Sequence, residues 1–94
     1  MKVTGFIWIE EVVEKLAQKH RVETFEVEEL VDRKPRVRYI EKGDRQDEDV
    51  YVALGQTEAG RYLTLFFVRK RDGRVLPLSA RDMTDSERKR YGRK

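Results

Sequence analysis

The fold of this chain depends mainly on residues 50–81, which read VYVALGQTEAGRYLTLFFVRKRDGRVLPLSAR. Three runs within this stretch are rich in β-branched, aromatic and leucine residues, which predicts strands. They span residues 50–56, 61–70 and 74–80. Between them, Thr57 to Gly60 predicts a four-residue turn, and Asp72-Gly73 is typical of a two-residue hairpin turn. The stretch therefore predicts three consecutive antiparallel strands.

The two turns also predict which residues face each other across the strands. They pair Leu54 with Leu63, Val52 with Leu65, Phe67 with Leu78, and Leu65 with Ala80. This register collects apolar side chains on one face of the sheet, which helices must cover. The members of that face are Val50, Val52, Leu54, Leu63, Leu65, Phe67, Leu76, Leu78 and Ala80. Because Pro77 has no N–H for a ladder hydrogen bond, a sheet edge or a bulge is expected there.

The segment before these strands predicts two helices. An apolar stripe at helical spacing predicts the first, from about Ile9 to about His20. Phe6 to Trp8 fits either a short strand or an apolar staple before that helix. Thr24 is a good N-cap for the second helix, which should end before Pro35.

The remaining elements complete an α+β fold. Residues 36–40 alternate basic and apolar side chains, which predicts a further strand, and the charged residues 41–49 predict a solvated loop. Thr84 and Glu87 form a capping box for a third helix that runs to about Tyr91. We therefore expect a single domain, residues 1–94, with an antiparallel four-stranded sheet, two N-terminal helices and one C-terminal helix.

The composition excludes several kinds of chemistry. The 94 residues contain no cysteine and one histidine, so disulfides, thiol catalysis and multi-histidine metal sites are excluded. We expect neither a metal nor another cofactor. No apolar run approaches the roughly 20 residues of a membrane span, so a cytoplasmic protein with no membrane partner is expected.

Charge is distributed unevenly along the chain. Residues 1–60 contain 10 Lys and Arg against 14 Asp and Glu, whereas residues 61–94 contain 11 against 4. The basic part favours a polyanion such as RNA as a partner. The candidate contacts are Arg69, Lys70, Arg71 and Arg74 at the hairpin tip, and the tail from Arg88 to Lys94. The alternative is that these cations only solvate the surface or receive an acidic protein segment.

Three residues are candidates for chemistry. His20 is suited to proton transfer near neutral pH, or it is a core histidine. Arg61 and Arg81 are suited to stabilising charge on phosphoryl oxygens, or they are structurally paired. As a catalytic group the three should converge on one open cleft. Tyr51, Tyr62 and Phe66 offer either a base-stacking platform or rings packed under a helix.

Several short motifs, taken together, resemble the BrnT family of toxins from type II toxin–antitoxin systems. They are Phe6-x-Trp8, Lys19-His20, Val22-x-x-Phe25-Glu26, Ala53-Leu54-Gly55, Gly60-Arg61-x-Leu63, Ser79-Ala80-Arg81 and Glu87-Arg88-x-x-Tyr91. The resemblance implies a ribonuclease with a fold related to RelE-type toxins. It also implies a cognate antitoxin as partner, with a homodimer or a toxin–antitoxin heterotetramer as the assemblies to test.

The resemblance assigns roles to residues of this chain. It implies that His20, Arg61 and Arg81 are catalytic, with Lys19 beside them on RNA. The expected activity is metal-independent RNA cleavage that inhibits translation. This chain departs from the family pattern at Ile9, Leu16, Val50 and Leu76, where polar or charged residues are usual. The alternative is therefore a domain that binds RNA or a partner protein and has lost nuclease activity.

Overall fold

The computed structural model describes residues 2–43 and 48–92. In chain order its elements are strand β1 (Gly5–Phe6), helix α1 (Glu10–Lys15), a π-helical turn (Leu16–His20), helix α2 (Thr24–Asp32), strands β2 (Arg36–Glu41), β3 (Val50–Gln56), β4 (Tyr62–Arg69) and β5 (Arg74–Asp82), and helix α3 (Asp85–Gly92). The predicted loop at 41–49 and the predicted basic tail each lie partly outside the described residues.

The strands form one mixed sheet of five strands in the order β1-β5-β4-β3-β2. The predicted antiparallel four-stranded sheet with two N-terminal helices is therefore wrong. Strand β1 pairs parallel with β5. Two backbone hydrogen bonds flank this pairing: the N–H of Thr4 donates to the carbonyl oxygen of Gly73 (3.1 Å), and the N–H of Ile7 donates to that of Val75 (2.8 Å). Two residues are too few to show the alternation by which a strand is identified in a sequence.

The predicted helix from about Ile9 to about His20 is confirmed in its extent, but its second half is π-helical rather than α-helical. Helix α1 ends at Lys15, and the chain continues in the wider π-helical winding to His20. Arg21 then adopts a left-handed conformation with φ of 53°, which is costly for a residue with a Cβ. The N–H groups of Arg21 and Val22 both donate to the Leu16 carbonyl oxygen and close the turn.

Both hairpins turn through three residues, rather than the predicted four and two. The residues that flank the loops are Thr57 with Arg61, and Lys70 with Arg74, joined by N–H···O bonds of 2.9 and 2.8 Å. Gly60 (φ 92°) and Gly73 (φ 94°) end the loops in a conformation that glycine adopts without steric cost. This is the turn in which a left-handed residue follows a type I turn.

The turn at Gly60 is one residue shorter than predicted and the turn at Gly73 is one residue longer, and these differences change the register in different ways. Leu54 pairs with Thr64 instead of Leu63, so Val52 and Leu54 lie on the sheet face opposite to the one predicted. A shift of one residue moves every side chain of a strand to the other face. The predicted single apolar face is therefore wrong.

In the second hairpin a bulge cancels the shift. Phe67 pairs with Pro77 rather than Leu78, but beyond the bulge the predicted pair of Leu65 with Ala80 is confirmed. The bulge follows Pro77 directly, as the missing N–H of proline favours. Lys15 Nζ donates to the carbonyl oxygen of Leu78 (2.9 Å), which gives the bulged residue a partner.

Apolar side chains are buried on both faces of the sheet. The larger core lies between the sheet and the helical segments before β2. Its members are Leu16, Val22, Val27, Leu30, Val31, Ala53, Leu63, Leu65, Phe67, Val75 and Ala80. A smaller cluster on the opposite face contains Val52, Leu54 and Met83, with Tyr62, Phe66 and Tyr91 of β4 and α3 packed against it. The sheet is thus covered by α1 and α2 on one side and by α3 on the other.

The two longer helices begin at local capping signals. At α2 the prediction is off by one residue: Glu23 is the N-cap and Thr24 is the first helical residue. The N–H of Glu23 donates to Glu26 Oε1 at 3.0 Å. The predicted capping box of α3 is confirmed, because Thr84 N–H donates to Glu87 Oε1 (2.8 Å) and Glu87 N–H donates to Thr84 Oγ1 (3.2 Å).

Candidate functional site

Arg61 lies immediately before β4, and four neighbouring residues hold its guanidinium. Nε donates to Asp82 Oδ1 at 2.9 Å, and Nη1 donates to the Glu26 carboxylate at 3.1 Å. Nη1 also donates to the carbonyl oxygen of Arg21 at 2.7 Å, and Nη2 donates to that of His20 at 3.0 Å. Arg61 therefore joins the sheet and α2 to the end of the π-helical turn.

The charge of Arg61 suits this position. Its hydrogen bond with Asp82 raises the pKa of the guanidinium above the ordinary value; burial opposes this, and the hydrogen bond with Glu26 adds to it. The last carbonyl oxygens of a helix carry partial negative charge and lack partners within the helix. Arg61 satisfies two such oxygens and so stabilises the left-handed residue Arg21 that ends the turn.

His20 is the last residue of the π-helical turn and is partly exposed. The group of His20 that contacts Arg61 is its backbone carbonyl. Within residues 2–43 and 48–92 the imidazole forms no hydrogen bond or ion pair. His20 is thus not sealed in the core, and π-helical turns are frequent at functional sites.

Arg81 lies on the opposite face of the sheet, under α3. Its Nη1 and Nη2 donate to the two carboxylate oxygens of Glu87 at 2.7 and 3.0 Å, and its guanidinium carbon lies 5.5 Å from the centre of the Phe66 ring. Residue 80 faces the larger core, so Arg81 points away from it. The expected convergence of His20, Arg61 and Arg81 on one cleft is therefore wrong for Arg81.

Glu87 is the centre of the contacts under α3. Besides Arg81, its Oε1 accepts hydrogen bonds from Thr64 Oγ1 (2.9 Å) and from the N–H of Thr84 (2.8 Å). These bonds, with Arg81 first, lower the pKa of Glu87 from 4.5 to about 2, although burial opposes the shift. The same ion pair raises the pKa of Arg81. Both groups are charged at neutral pH and fasten α3 to β4 and β5.

The cations predicted to bind nucleic acid at the β4–β5 hairpin already have partners. Lys70 Nζ lies 3.0 Å from Glu48 Oε1, Arg74 Nε lies 2.8 Å from Asp72 Oδ2, and Arg69 Nη2 lies 3.3 Å from the carbonyl oxygen of Lys2. Arg71 is not free either. Lys19 is exposed on a different element, the π-helical turn. The hairpin tip therefore does not present a set of unpaired cations.

The three aromatic residues predicted as a platform lie on different faces. Tyr51 packs between Tyr39 and Phe67, with ring centres 5.9 and 5.7 Å away, against the larger core. Tyr62 and Phe66 belong to the smaller cluster under α3. The rings therefore form no continuous surface for bases.

A cluster of cations that sequence analysis mostly missed lies between β2 and α3. We call it the basic groove: two adjoining clefts of about 220 and 540 Å³ that share Arg36. Its cations are Lys34, Arg36, Arg38, Arg88 and Arg90, and Val52, Leu54, Gln56, Tyr62 and Tyr91 also line it. Arg88 and Arg90 were among the predicted RNA contacts, as part of the basic tail; Lys34, Arg36 and Arg38 were not. The alternation of Arg36 and Arg38 along β2 was the available signal, but it does not show that α3 lies opposite.

Two further properties concern the part of the chain that the structure describes. In residues 2–43 and 48–92, no group of three or more histidine or acidic side chains is placed to hold a metal ion. No helix in those ranges is long and apolar enough to cross a membrane.

The chain matches the family described as "Ribonuclease toxin, BrnT, of type II toxin-antitoxin system" over residues 8–87. The chain belongs to this family. The resemblance inferred from the short motifs is thereby confirmed, and BrnT membership implies a cognate antitoxin as partner. The match includes His20, Arg61, Arg81 and Glu87, and thus both clusters around arginine described above. No individual curated protein matches the chain.

Proposed function

We propose that this BrnT family member cleaves RNA without a metal and thereby inhibits translation. In the proposed reaction, a base removes the proton from a ribose 2′-hydroxyl, and that oxygen attacks the adjacent phosphorus. The bond to the 5′ oxygen breaks, and an acid protonates the leaving oxygen. The products are a 2′,3′-cyclic phosphate and a 5′-hydroxyl end.

The observation that carries this proposal is the position of His20 at the open end of the π-helical turn. An imidazole is the side chain best suited to exchange protons near neutral pH. No described protein group forms a hydrogen bond with this imidazole, so neither ring nitrogen is committed to a bond within that part of the protein. His20 is accordingly the proposed proton-transfer group.

Arg61 has a different proposed role from the one expected from the motifs. Its donors are directed at Asp82, Glu26 and two backbone carbonyls, including that of His20. We therefore treat Arg61 as a positioning residue, which holds the backbone of the turn and thus the imidazole. Arg81 lies across the sheet and has no place in a site built around His20; it fastens α3.

The proposal is tested with purified protein and a labelled single-stranded RNA. His20→Ala should reduce the cleavage rate by about 10²- to 10⁴-fold, the usual contribution of general acid–base catalysis. The matched control is Gln18→Ala, an exposed residue of the same turn, which should cleave at the wild-type rate. Addition of EDTA should leave the wild-type rate unchanged, and products should carry 2′,3′-cyclic phosphate ends.

The role of Arg61 needs a readout other than total activity. Arg61→Lys retains the charge but not the fork that reaches several carbonyls at once. It should lower the cleavage rate and the thermal stability together, because the π-helical turn is loosened. If Arg61→Lys keeps wild-type stability but loses cleavage, Arg61 contacts substrate instead.

Inhibition of translation is tested in a bacterial host. Expression of the wild-type chain without an antitoxin should stop growth and protein synthesis, and His20→Ala should restore both at an equal level of soluble protein. Continued growth with abundant soluble wild-type protein would contradict the proposal.

A second candidate function is binding without cleavage. It is favoured by the pairing of Arg61 with Glu26 and Asp82 and of Arg81 with Glu87, since paired guanidinium groups stabilise phosphoryl charge less well. Under this alternative the wild-type chain binds RNA or antitoxin, and His20→Ala changes neither. The cleavage assay decides between the two.

A further inference from the structure

The basic groove is built from three separated parts of the chain. Lys34 follows α2, Arg36 and Arg38 belong to β2, and Arg88 and Arg90 belong to α3. The clefts that they line contain no acidic side chain among the described residues. The hairpin tip differs, because Lys70 is paired with Glu48 and Arg74 is paired with Asp72. The described lining of the basic groove thus concentrates five cations without an acidic side chain among them.

Two features show that this arrangement is held in place. Lys34 adopts a left-handed conformation with φ of 54°, which costs free energy in a residue with a Cβ. Such outliers persist where surrounding structure enforces them, often at binding sites. Arg36 Nη1 donates to the carbonyl oxygens of Arg90 and Tyr91 at 2.8 and 3.1 Å. It therefore fixes the end of α3 against β2 and sets the width of the groove.

The remaining cations are available to a ligand. Arg38 and the side chain of Arg90 form no hydrogen bond or ion pair with other described residues. The guanidinium carbon of Arg88 lies over the Tyr62 ring, 4.0 Å from the ring centre. A guanidinium plane supported in this way is a surface on which an unpaired base can stack.

The groove also ends next to the proposed cleavage site. Tyr62 and Gln56 line its second cleft, and Arg61 is the residue directly before Tyr62. Successive residues point to opposite faces of a sheet. The groove on the α3 side and the His20 site on the α2 side therefore meet at the same end of the sheet, beside the loop of Gly60.

We propose that the basic groove binds the phosphates and one base of a single-stranded RNA, at a site distinct from His20. Lys34, Arg38 and Arg90 contact phosphates, and Arg88 contacts a phosphate or stacks on a base. The choice of RNA rather than another polyanion rests on the proposed function. Arg36 is a positioning residue because it holds α3.

The test measures binding separately from cleavage. The probe is a fluorescein-labelled eight-nucleotide RNA with 2′-O-methyl groups, which has no 2′-hydroxyl to attack, and the readout is anisotropy between 50 and 200 mM salt. With about four phosphates contacted, wild-type affinity should fall about 50-fold over this range. The double variant Arg38→Ala, Arg90→Ala should keep about two phosphate contacts, so its affinity should fall only about 7-fold over the same salt range.

Matched controls separate the groove from general charge and from misfolding. Lys2→Ala removes one exposed cation near β1, at the opposite edge of the sheet, and should bind as wild type. Thermal unfolding should show that the double variant keeps wild-type stability, since neither side chain has a described partner. Polyglutamate of equal charge tests whether an acidic protein segment competes.

The outcomes distinguish this inference from the proposed function. If the wild type does not cleave ordinary RNA but the double variant loses binding, the groove stands and the nuclease proposal fails. If the wild type cleaves but the double variant binds with the wild-type salt dependence, the groove inference is overturned. Binding of polyglutamate as tight as or tighter than that of RNA, at equal charge, also overturns it, because the groove then prefers an acidic protein.

Discussion

Replacing Glu87 with glutamine is expected to destabilise the protein by about 2 kcal/mol at pH 7. The carboxylate accepts bonds from Arg81, Thr64 and the N–H of Thr84, and its side chain is only 15% exposed. The lowering of the pKa of Glu87 from 4.5 to about 2 sets an upper limit of about 3 kcal/mol, at 1.36 kcal/mol per pKa unit. Solvent near the one-third-exposed Arg81 reduces this value.

The pH dependence has a definite sign. Because the folded pKa of Glu87 lies below the unfolded one, its stabilisation is fully present above about pH 4.5 and is lost as the pH falls toward 2. The difference in free energy of unfolding between the wild type and Glu87→Gln should therefore be constant from pH 7 to 5. Roughly half or more of it should be gone by pH 3.

The measurement is urea unfolding, followed by circular dichroism, at several pH values. Asp85→Asn is the matched control, because it removes an exposed acid from the same first turn of α3 that has no described side-chain partner. It should cost no more than about 0.5 kcal/mol, the interaction of an exposed charge with the helix dipole. A Glu87→Gln effect as small as this, or one that persists unchanged at pH 3, would refute the reasoning.

The remaining predictions also concern stability and are measured by denaturant unfolding. Arg61→Ala should cost about 3 kcal/mol, because it leaves partly buried carboxylate and carbonyl oxygens without a donor. Gly60→Ala should cost about 1 kcal/mol from its positive φ alone, as no atom lies within 4 Å of the new Cβ. Gly73→Ala should cost more than Gly60→Ala, since its Cβ would lie 3.0 Å from Thr4 Cγ2. Equal effects of Gly60→Ala and Gly73→Ala would contradict the packing at Thr4. Phe67→Ala should cost about 3–5 kcal/mol by leaving a cavity in the larger core.

Local signals in the sequence were sufficient for the four longer strands and for one helix cap. The four longer strands lie close to their predicted positions, and the capping box of Thr84 and Glu87 forms as predicted. The proline at position 77 correctly indicated a bulge. These features depend on residues within a few positions of each other, so their physical causes are contained in short stretches of sequence.

The register could not be predicted as reliably, because it depends on small differences between turns. Loops of two, three and four residues use the same glycine-containing sequences. In the structure, the loops that end at Gly60 and Gly73 both have three residues. An error of one residue reverses the faces of a strand. For that reason Val52 and Leu54 were assigned to the wrong face.

The arrangement of the charged groups was decided only by the tertiary structure. Arg61 and Arg81 were expected in one cleft, yet the sheet separates them and gives each its own carboxylate partners. Conversely, Arg38 and Arg90 are far apart in the chain but share one cleft because β2 pairs with β3 and α3 packs across that face. Charge interactions act through space rather than along the chain, so their partners become defined only when the sheet and α3 are in place.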